Sequence, residues 1–231
     1  MKSNKVLGAQ KITVILMRDY GINISQGRVY RLMKSIVLPQ FAAKKPKWKA
    51  RKTNSESKLI NHLKQKFNPE RPNQIWTTDF TYISIAPKKF VYLSVILDLY
   101  ARKVIAWKVS PHIDTKLALD TLETAIQKRK ATPELFHSDR GVQYTAKKFR
   151  QELDKHNILA SYSQPGYPYD NSVTEVFFKY FKLHCANRSA FSSIEEVRLA
   201  CFRYIEQFYN DYRPHQTNNQ LTPNQKEARF P

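Results

Sequence analysis

Three carboxylates and one ammonium are spaced so that they could act together on a phosphate. Asp79 lies inside W-T-T-D-F-T-Y-I, Asp139 closes the run L-F-H-S-D, and Glu175 and Lys182 both belong to V-T-E-V-F-F-K-Y-F-K. A carboxylate in the middle of an apolar and hydroxylated strand is costly unless something cationic meets it. Hard oxygen ligands of this kind suit Mg²⁺, with Mn²⁺ able to substitute. Two such ions, roughly 4 Å apart, can activate an attacking oxygen and stabilise a leaving one in phosphoryl transfer. Lys182 follows Glu175 by seven positions. At about 100° per residue that spacing returns the chain to the same helix face two turns later. Residue types alone leave other readings open. Glu175 is the last residue of S-V-T-E, which has capping-box form. Asp98, at the end of a second apolar run, competes with Asp79 as a first ligand.

The positioning elements follow from period and punctuation. Ile75, Thr77, Asp79, Thr81 and Ile83 alternate with Trp76, Thr78, Phe80 and Tyr82, which predicts a long strand covered on both faces. Ala86-Pro87-Lys88-Lys89 turns the chain. Phe90 to Asp98 and Lys103 to Val109 then complete an antiparallel meander through a tight Tyr100-Ala101-Arg102 connection. Asp114 can cap a helix running to about Lys130. Leu135 to Ser138 is a short strand with Asp139 at its tip, where Arg140-Gly141 turns the chain. A helix over Thr145 to Asn157, a strand over Ile158 to Tyr162 and a loop rich in Pro, Gly and Tyr lead to the Glu175 helix. Ile194, Val197, Cys201, Ile205, Phe208 and Tyr212 mark one long amphipathic helix, introduced by Ser192 or Ser193. This order predicts an α/β fold with a mixed five-stranded sheet and flanking helices.

Ahead of that core, Ile12, Ile15, Leu16 and Tyr20 keep helical spacing up to Gly21. Ser25 can cap a second helix with the stripe Val29, Leu32, Met33 and Ile36. Such a pair, with Arg28, Arg31 and Lys34 on its open side, fits a helix-turn-helix unit; a packing hairpin is the plainer alternative. Residues 1–40 are read as this DNA-binding segment, 41–72 as a basic linker with a short helix from Leu59, Leu63 and Phe67, and 73–231 as the catalytic core. The linker holds six basic side chains between Lys44 and Lys52. The formal charge is +20, and residues 1–75 carry 17 basic against 3 acidic side chains, whereas the remainder carries 22 against 16. The excess favours a polyanion, nucleic acid before anionic membrane, gripped by the front of the chain. Cys185 and Cys201 lack metal-ligand spacing and read as free thiols. With neither an apolar signal region nor a membrane-length run in the sequence, a cytoplasmic, nucleoid-associated protein without a membrane partner is expected.

The words W-T-T-D-F-T-Y-I, V-I-L-D-L-Y-A-R-K-V-I-A-W, H-S-D-R-G-V-Q-Y-T and Y-D-N-S-V-T-E-V-F-F-K-Y-F-K, in that order, resemble the integrase-type core of bacterial insertion-sequence transposases, and most closely the "insertion sequence three" family. The likeness extends to G-A-Q-K-I-T through R-V-Y-R-L-M at the front and to F-Y-N-D-Y-R-P-H-Q-T-N-N-Q-L-T-P at the tail. It implies a ribonuclease-H-like fold, an Asp-Asp-Glu triad at Asp79, Asp139 and Glu175 holding two Mg²⁺, and a basic residue at Lys182 near the scissile phosphate. The implied activity is cleavage at the element's terminal inverted repeats followed by attack of the freed 3′-hydroxyl on target DNA, by a homo-oligomer assembled on DNA. Asp98 falls at a family position without a metal role and reads as a turn residue. The sequence departs from the family in having His184 where an acid often follows the basic residue. Family members also commonly carry further N-terminal sequence joined from an upstream frame. An upstream-frame product is therefore an implied partner, and a DNA-binding derivative or fragment without catalysis is the alternative reading.

Neighbouring residues are weighed separately. His137 is expected to be a packing histidine on the opposite strand face from Asp139. Arg140, Gln143 and Tyr144 could touch DNA or close the turn. Tyr167 and Tyr169 could stack on an end base or simply line the loop.

Overall fold

Alternation in the first long strand fixes which side chains face which layer, and the rest of the chain covers both sides. The computed structural model describes residues 7–36, 59–86, 89–167 and 169–231. The strands are β1 (Ile75–Ala86), β2 (Lys89–Asp98), β3 (Lys103–Ser110), β4 (Leu135–Ser138) and β5 (Leu159–Tyr162). They form one sheet in the order β3-β2-β1-β4-β5, antiparallel across β1, β2 and β3 and parallel from β1 through β4 to β5. The mixed five-stranded α/β plan is as the sequence predicts.

One face carries Trp76, Ile96 and Phe136 and is covered by α3 (Thr115–Arg129) and α5 (Lys147–Lys155) through Leu122, Ala125, Phe149 and Leu153. The other carries Val91, Leu93, Val95 and Leu97, packed under α6 (Ser172–His184) and α7 (Ile194–Phe202) through Phe177, Phe181, Val197 and Cys201. Asp114 caps α3, its side chain accepting the Leu117 N–H at 2.8 Å, and Ser193 caps α7 through the Glu196 N–H. Past α7 the helix does not continue as expected. Residues Arg203–Asn210 widen into a π-helix, which brings the Asn210 amide onto the edge strand, bonded to the Val104 N–H and carbonyl. That amide satisfies backbone groups that an open edge would leave bare. A 3₁₀ turn at Gln216–Asn218 and the short α8 (Pro223–Glu227) end the chain.

Three further expectations change. The helix expected over Thr145 to Asn157 is α5, with Phe149 and Leu153 buried, but a short helix not expected there, α4 (Val142–Thr145), precedes it, separated by Ala146, whose backbone is extended (φ −57, ψ 140). Residues 59–67 form no helix. Instead the Ser161 hydroxyl takes the N–H groups of His62 and Leu63, and Asn61 bonds buried Asp170 at 2.8 Å. The expected linker therefore lies against the core from residue 59 onward, while the basic run Lys44–Lys52 falls outside the described residues. In the second front helix, α2 (Gln26–Ser35), only Val29 and Met33 of the apolar stripe are buried; Leu32 and Ile36 are exposed. Its partner α1 (Ala9–Tyr20) ends at Gly21 in the left-handed region (φ 66), as a chain reversal there requires. Ile15 and Leu7 pack against Tyr212, which ties the pair to the tail of the core.

Candidate active site

Strand register brings the first two carboxylates together. β1 and β4 run parallel with Thr77 opposite His137, so continuing that register by two residues sets Asp79 beside Asp139 at the end of β4. Thr77 and Asp79 share a face, and the Thr77 hydroxyl meets the Thr174 hydroxyl of α6 at 2.9 Å. That contact seats the first turn of α6, and with it Glu175, over the same edge. Asn171, just ahead of the helix, donates to the Thr78 carbonyl at 3.0 Å and fixes the entry of the helix to β1. No side chain caps α6, so the S-V-T-E sequence is not a capping box.

Each acid has a different surrounding. Asp79 is half-buried and accepts the Phe80 N–H at 2.7 Å. Its carboxyl is pushed up to about 8, first by burial and then by the negative charge of Asp139; Glu175 adds to the rise, while the Phe80 N–H and Lys182 oppose it. Asp139 is exposed, holds the Gly141 N–H at 2.9 Å, and is raised by desolvation against that bond. Glu175 is exposed and raised by desolvation. Lys182, seven residues on, lies over the Tyr82 ring at 4.3 Å from its centre. Asp79 thus feels both other acids and the lysine: the four residues occupy one electrostatic neighbourhood. Among the described residues, no three His, Cys, Asp or Glu side chains converge to metal-ligating distance. Mutual repulsion of three carboxylates opposes such convergence in the absence of a cation. The donor set, all carboxylate oxygen, fits a hard divalent ion, and the raised Asp79 carboxyl marks negative charge that such an ion would offset.

Asp98 stands apart. It is fully buried and accepts N–H bonds from Asn73 at 2.7 Å and Tyr100 at 2.9 Å, with Arg129 beside it at 3.5 Å; it caps the β2 turn. The two sequences just described, β1 with Asp79 and the β4-to-α6 stretch with Asp139 and Glu175, are also where known proteins match. Two family models, each described as an integrase core domain, cover residues 69–168 and 156–223. Transposases InsF of insertion sequences IS3A and IS3B from Escherichia coli K12 are each 39% identical over 168 residues, 72% of this chain. The chain belongs to the insertion-sequence-three family of transposases. It spans 58% of the length of those relatives. A stretch of 93 residues is 61% identical to a Lactococcus lactis protein named ATP-dependent protease, covering 40% of this chain and 30% of that one. No two of the chain's five glycines stand five apart, so the phosphate-cradling loop G-x-x-x-x-G-K-S/T is not in this sequence.

Solved structures agree on the fold. A chain of a simian T-cell lymphotropic virus intasome aligns with a TM-score of 0.56 at 16% identity, covering 95% of this chain and 72% of that one. The HTLV-2 integrase catalytic core (trimeric form) aligns with a TM-score of 0.50 at 16% identity, covering 68% and 98%. The insertion-sequence-three core is thus a ribonuclease-H-like sheet with flanking helices.

Other readings made from the sequence resolve individually. His137 is a packing histidine: it is fully buried, its ring nitrogens lie 2.8 Å from the Ser161 and 3.1 Å from the Ser163 hydroxyls, and burial lowers it to about 4. It shares the Thr77 face, however, and alternation places it on the same face as Asp139 rather than the opposite one. Arg140, which could touch DNA or close the turn, donates to the Ser163 and Leu59 carbonyls, each at 2.9 Å. Tyr144 is buried, stacks on Phe80 at 4.9 Å and meets the Thr78 hydroxyl at 3.1 Å, so it closes the turn beneath Asp79. Tyr167 and Tyr169 are exposed, as are Arg28, Arg31 and Lys34. Two residues, named in the sequence only for strand alternation and for a turn, also belong to the site. Tyr82 faces away from Asp79 by alternation, yet its ring holds Lys182. Gly141 leaves space for a neighbour, since a Cβ there would lie 2.9 Å from Asp139 Oδ1 and 3.0 Å from Gln143 Oε1 and would make those side chains shift. The second was legible in principle, as a glycine two residues past a candidate ligand.

Proposed function

We propose that this chain is a DNA transposase acting on the terminal inverted repeats of its element and on target DNA by phosphodiester cleavage and strand transfer. The observation that carries the reading is the shared neighbourhood of Asp79, Asp139, Glu175 and Lys182, on a fold and in a family whose named members are transposases and integrases. Asp79, Asp139 and Glu175 would hold two Mg²⁺, as one HTLV-2 core structure contains magnesium; when bound, the ions supply an activated attacking oxygen and a stabilised leaving oxygen. Asp79 on the sheet and Glu175 on α6 are fixed to rigid elements, and Asp139 is held by its bond to the Gly141 N–H. Lys182 supplies a point charge for a backbone phosphate near the reacting bond. Arg28, Arg31 and Lys34 lie open on α2 and provide salt-sensitive phosphate contacts. The working form is a homo-oligomer on DNA in the cytoplasm, completed where present by an upstream-frame product.

The test is Glu175→Gln with a labelled element end and Mg²⁺. Cleavage should disappear while DNA affinity stays within a few fold of the unmodified chain. Undiminished cleavage by the variant would refute the assignment of Glu175. Binding without any nicking by the unmodified chain would favour a DNA-binding derivative with a silent core.

A further inference from the structure

A buried positive charge without a counter-charge marks a second site on the far side of α6. Between the start of that helix and the C-terminal tail lies a cavity of about 350 Å³, lined in part by Ser172, Val173, Val176, Tyr180, Arg213 and Thr217. Arg213 is only 6% exposed, and its Nε has no hydrogen-bond partner. Of the buried polar side-chain atoms left without a partner among the described residues, it is the one that carries positive charge. Its Nη1 lies 3.3 Å from His215 Nε2, and its guanidinium lies 4.7 Å from the centre of the Tyr180 ring. A neutral imidazole and an aromatic face soften that charge without cancelling it.

No carboxylate lines the cavity, and among the described residues none forms an ion pair with Arg213. Positive groups gather instead: Arg213 adds to the burial that lowers Lys11 to about 7 and His184 to about 4. Arg102 also borders the cavity, but its guanidinium is committed to the Phe67 and Leu99 carbonyls and the Asn68 side chain. A buried, unpaired cation costs several kcal/mol in general, so an anion is the natural complement. A second, independent observation points the same way. The 13-residue helix α6 begins at this cavity with Ser172 and Val173 and has no side-chain cap, and the acid of its first turn is Glu175, which belongs to the candidate active site.

We propose that this cavity is an oxyanion site, in which a phosphate group pairs with the Arg213 guanidinium and lies against the first turn of α6. The shared chemistry is a phosphate oxyanion, supplied either by free phosphate and phosphomonoesters or by a DNA backbone. Its bearing on the rest of the molecule is direct, since the turn it would fix is the one that carries Glu175.

Thermal unfolding of the full chain in sodium phosphate, against sodium chloride at matched ionic strength, tests the site. Phosphate should raise Tm logarithmically with its concentration, by about 4 °C at ten times its dissociation constant. The rise should vanish in Arg213→Gln. It should also vanish in Val176→Glu, whose residue is half exposed at the rim, because the new carboxylate supplies the missing charge. Identical phosphate and chloride curves in the unmodified chain, or a phosphate response that persists in Val176→Glu, overturn the proposal; the second comparison stands even if Arg213→Gln does not fold. Salt titrations of duplex DNA binding identify the source. A slope reduced by about 1 in Arg213→Gln, or in Val176→Glu, assigns the site to a DNA phosphate, and an unchanged slope assigns it to free phosphate.

Discussion

At the residue scale, Asp79 shows how a site stores charge that a ligand must relieve. Its carboxyl moves from an ordinary 3.8 to about 8, largest cause burial, next the charge of Asp139. Between those values the folded protein holds a proton that the unfolded chain has released. Stability from this group is therefore full below about pH 4 and is lost as pH climbs through about 8. The metal-free protein should accordingly lose more stability than Asp79→Asn between about pH 5 and about pH 8.5, as denaturant titrations at several pH values would show. The comparison with the variant isolates Asp79 from His184 and His215, which burial and Arg213 lower and whose contribution has the opposite slope. Equal slopes in the two proteins would mean that Asp79 is ionised in the folded state after all. Arg140 teaches the converse lesson. A basic residue beside a candidate ligand invites a DNA role, yet two buried-edge carbonyls have claimed its guanidinium.

At the element scale, two strands and one helix are held in register by small groups. The Thr77 and Thr174 hydroxyls join β1 to α6, and Gly141 leaves the space into which the Asp139 carboxylate bends. A methyl at residue 141 would lie 2.9 Å from Asp139 Oδ1. Because the backbone there has φ −56, alanine is conformationally acceptable and the conflict is steric alone. Gly141→Ala should leave the melting temperature within a few degrees and lower cleavage by about tenfold or more, since misplacement of a reacting group by about 1 Å can cost about a hundredfold. A cleavage assay with and without raised Mg²⁺ reads this directly; normal cleavage by the variant would show that Asp139 tolerates displacement. The widened helix at Arg203–Asn210 is the other element-level device, sacrificing regular helix geometry to place Asn210 on the exposed strand edge.

At the scale of the whole molecule, the front helices are joined to the sheet core rather than hung from it. Ile15 and Leu7 contact Tyr212, Lys11 donates to the Pro214 carbonyl at 2.6 Å, and Arg18 lies over the Tyr212 ring. Among the described residues no helix is long and apolar enough to cross a membrane. The outward basic side chains of α2 are then carried on a fixed platform. Replacing Arg28, Arg31 and Lys34 together by alanine should reduce the slope of log affinity against log salt by about 2.7, at about 0.9 for each phosphate left unneutralised. Filter binding or anisotropy over a range of salt concentrations measures it, and an unchanged slope would place the grip elsewhere in the chain.

How much of this could be read from the sequence depends on the range of the interaction that decides each feature. Alternation from Ile75 to Ile83, the cap at Asp114 and the glycine at the end of α1 are local, and the sequence by itself determined the strands, most of the helices and the family, and singled out the four candidate site residues. Features decided by distant partners stayed hidden. Leu59, Leu63 and Phe67 imitate a helical stripe, yet the backbone there bonds to Ser161 across the sheet. Helix α4 ends at Ala146 without a glycine or proline to announce it. Tyr82 points away from Asp79 along its own strand, and only the approach of α6 brings Lys182 over its ring. Local propensity and periodicity are properties of neighbouring residues, whereas charge compensation and hydroxyl pairing depend on which elements meet, and that the tertiary structure alone decided.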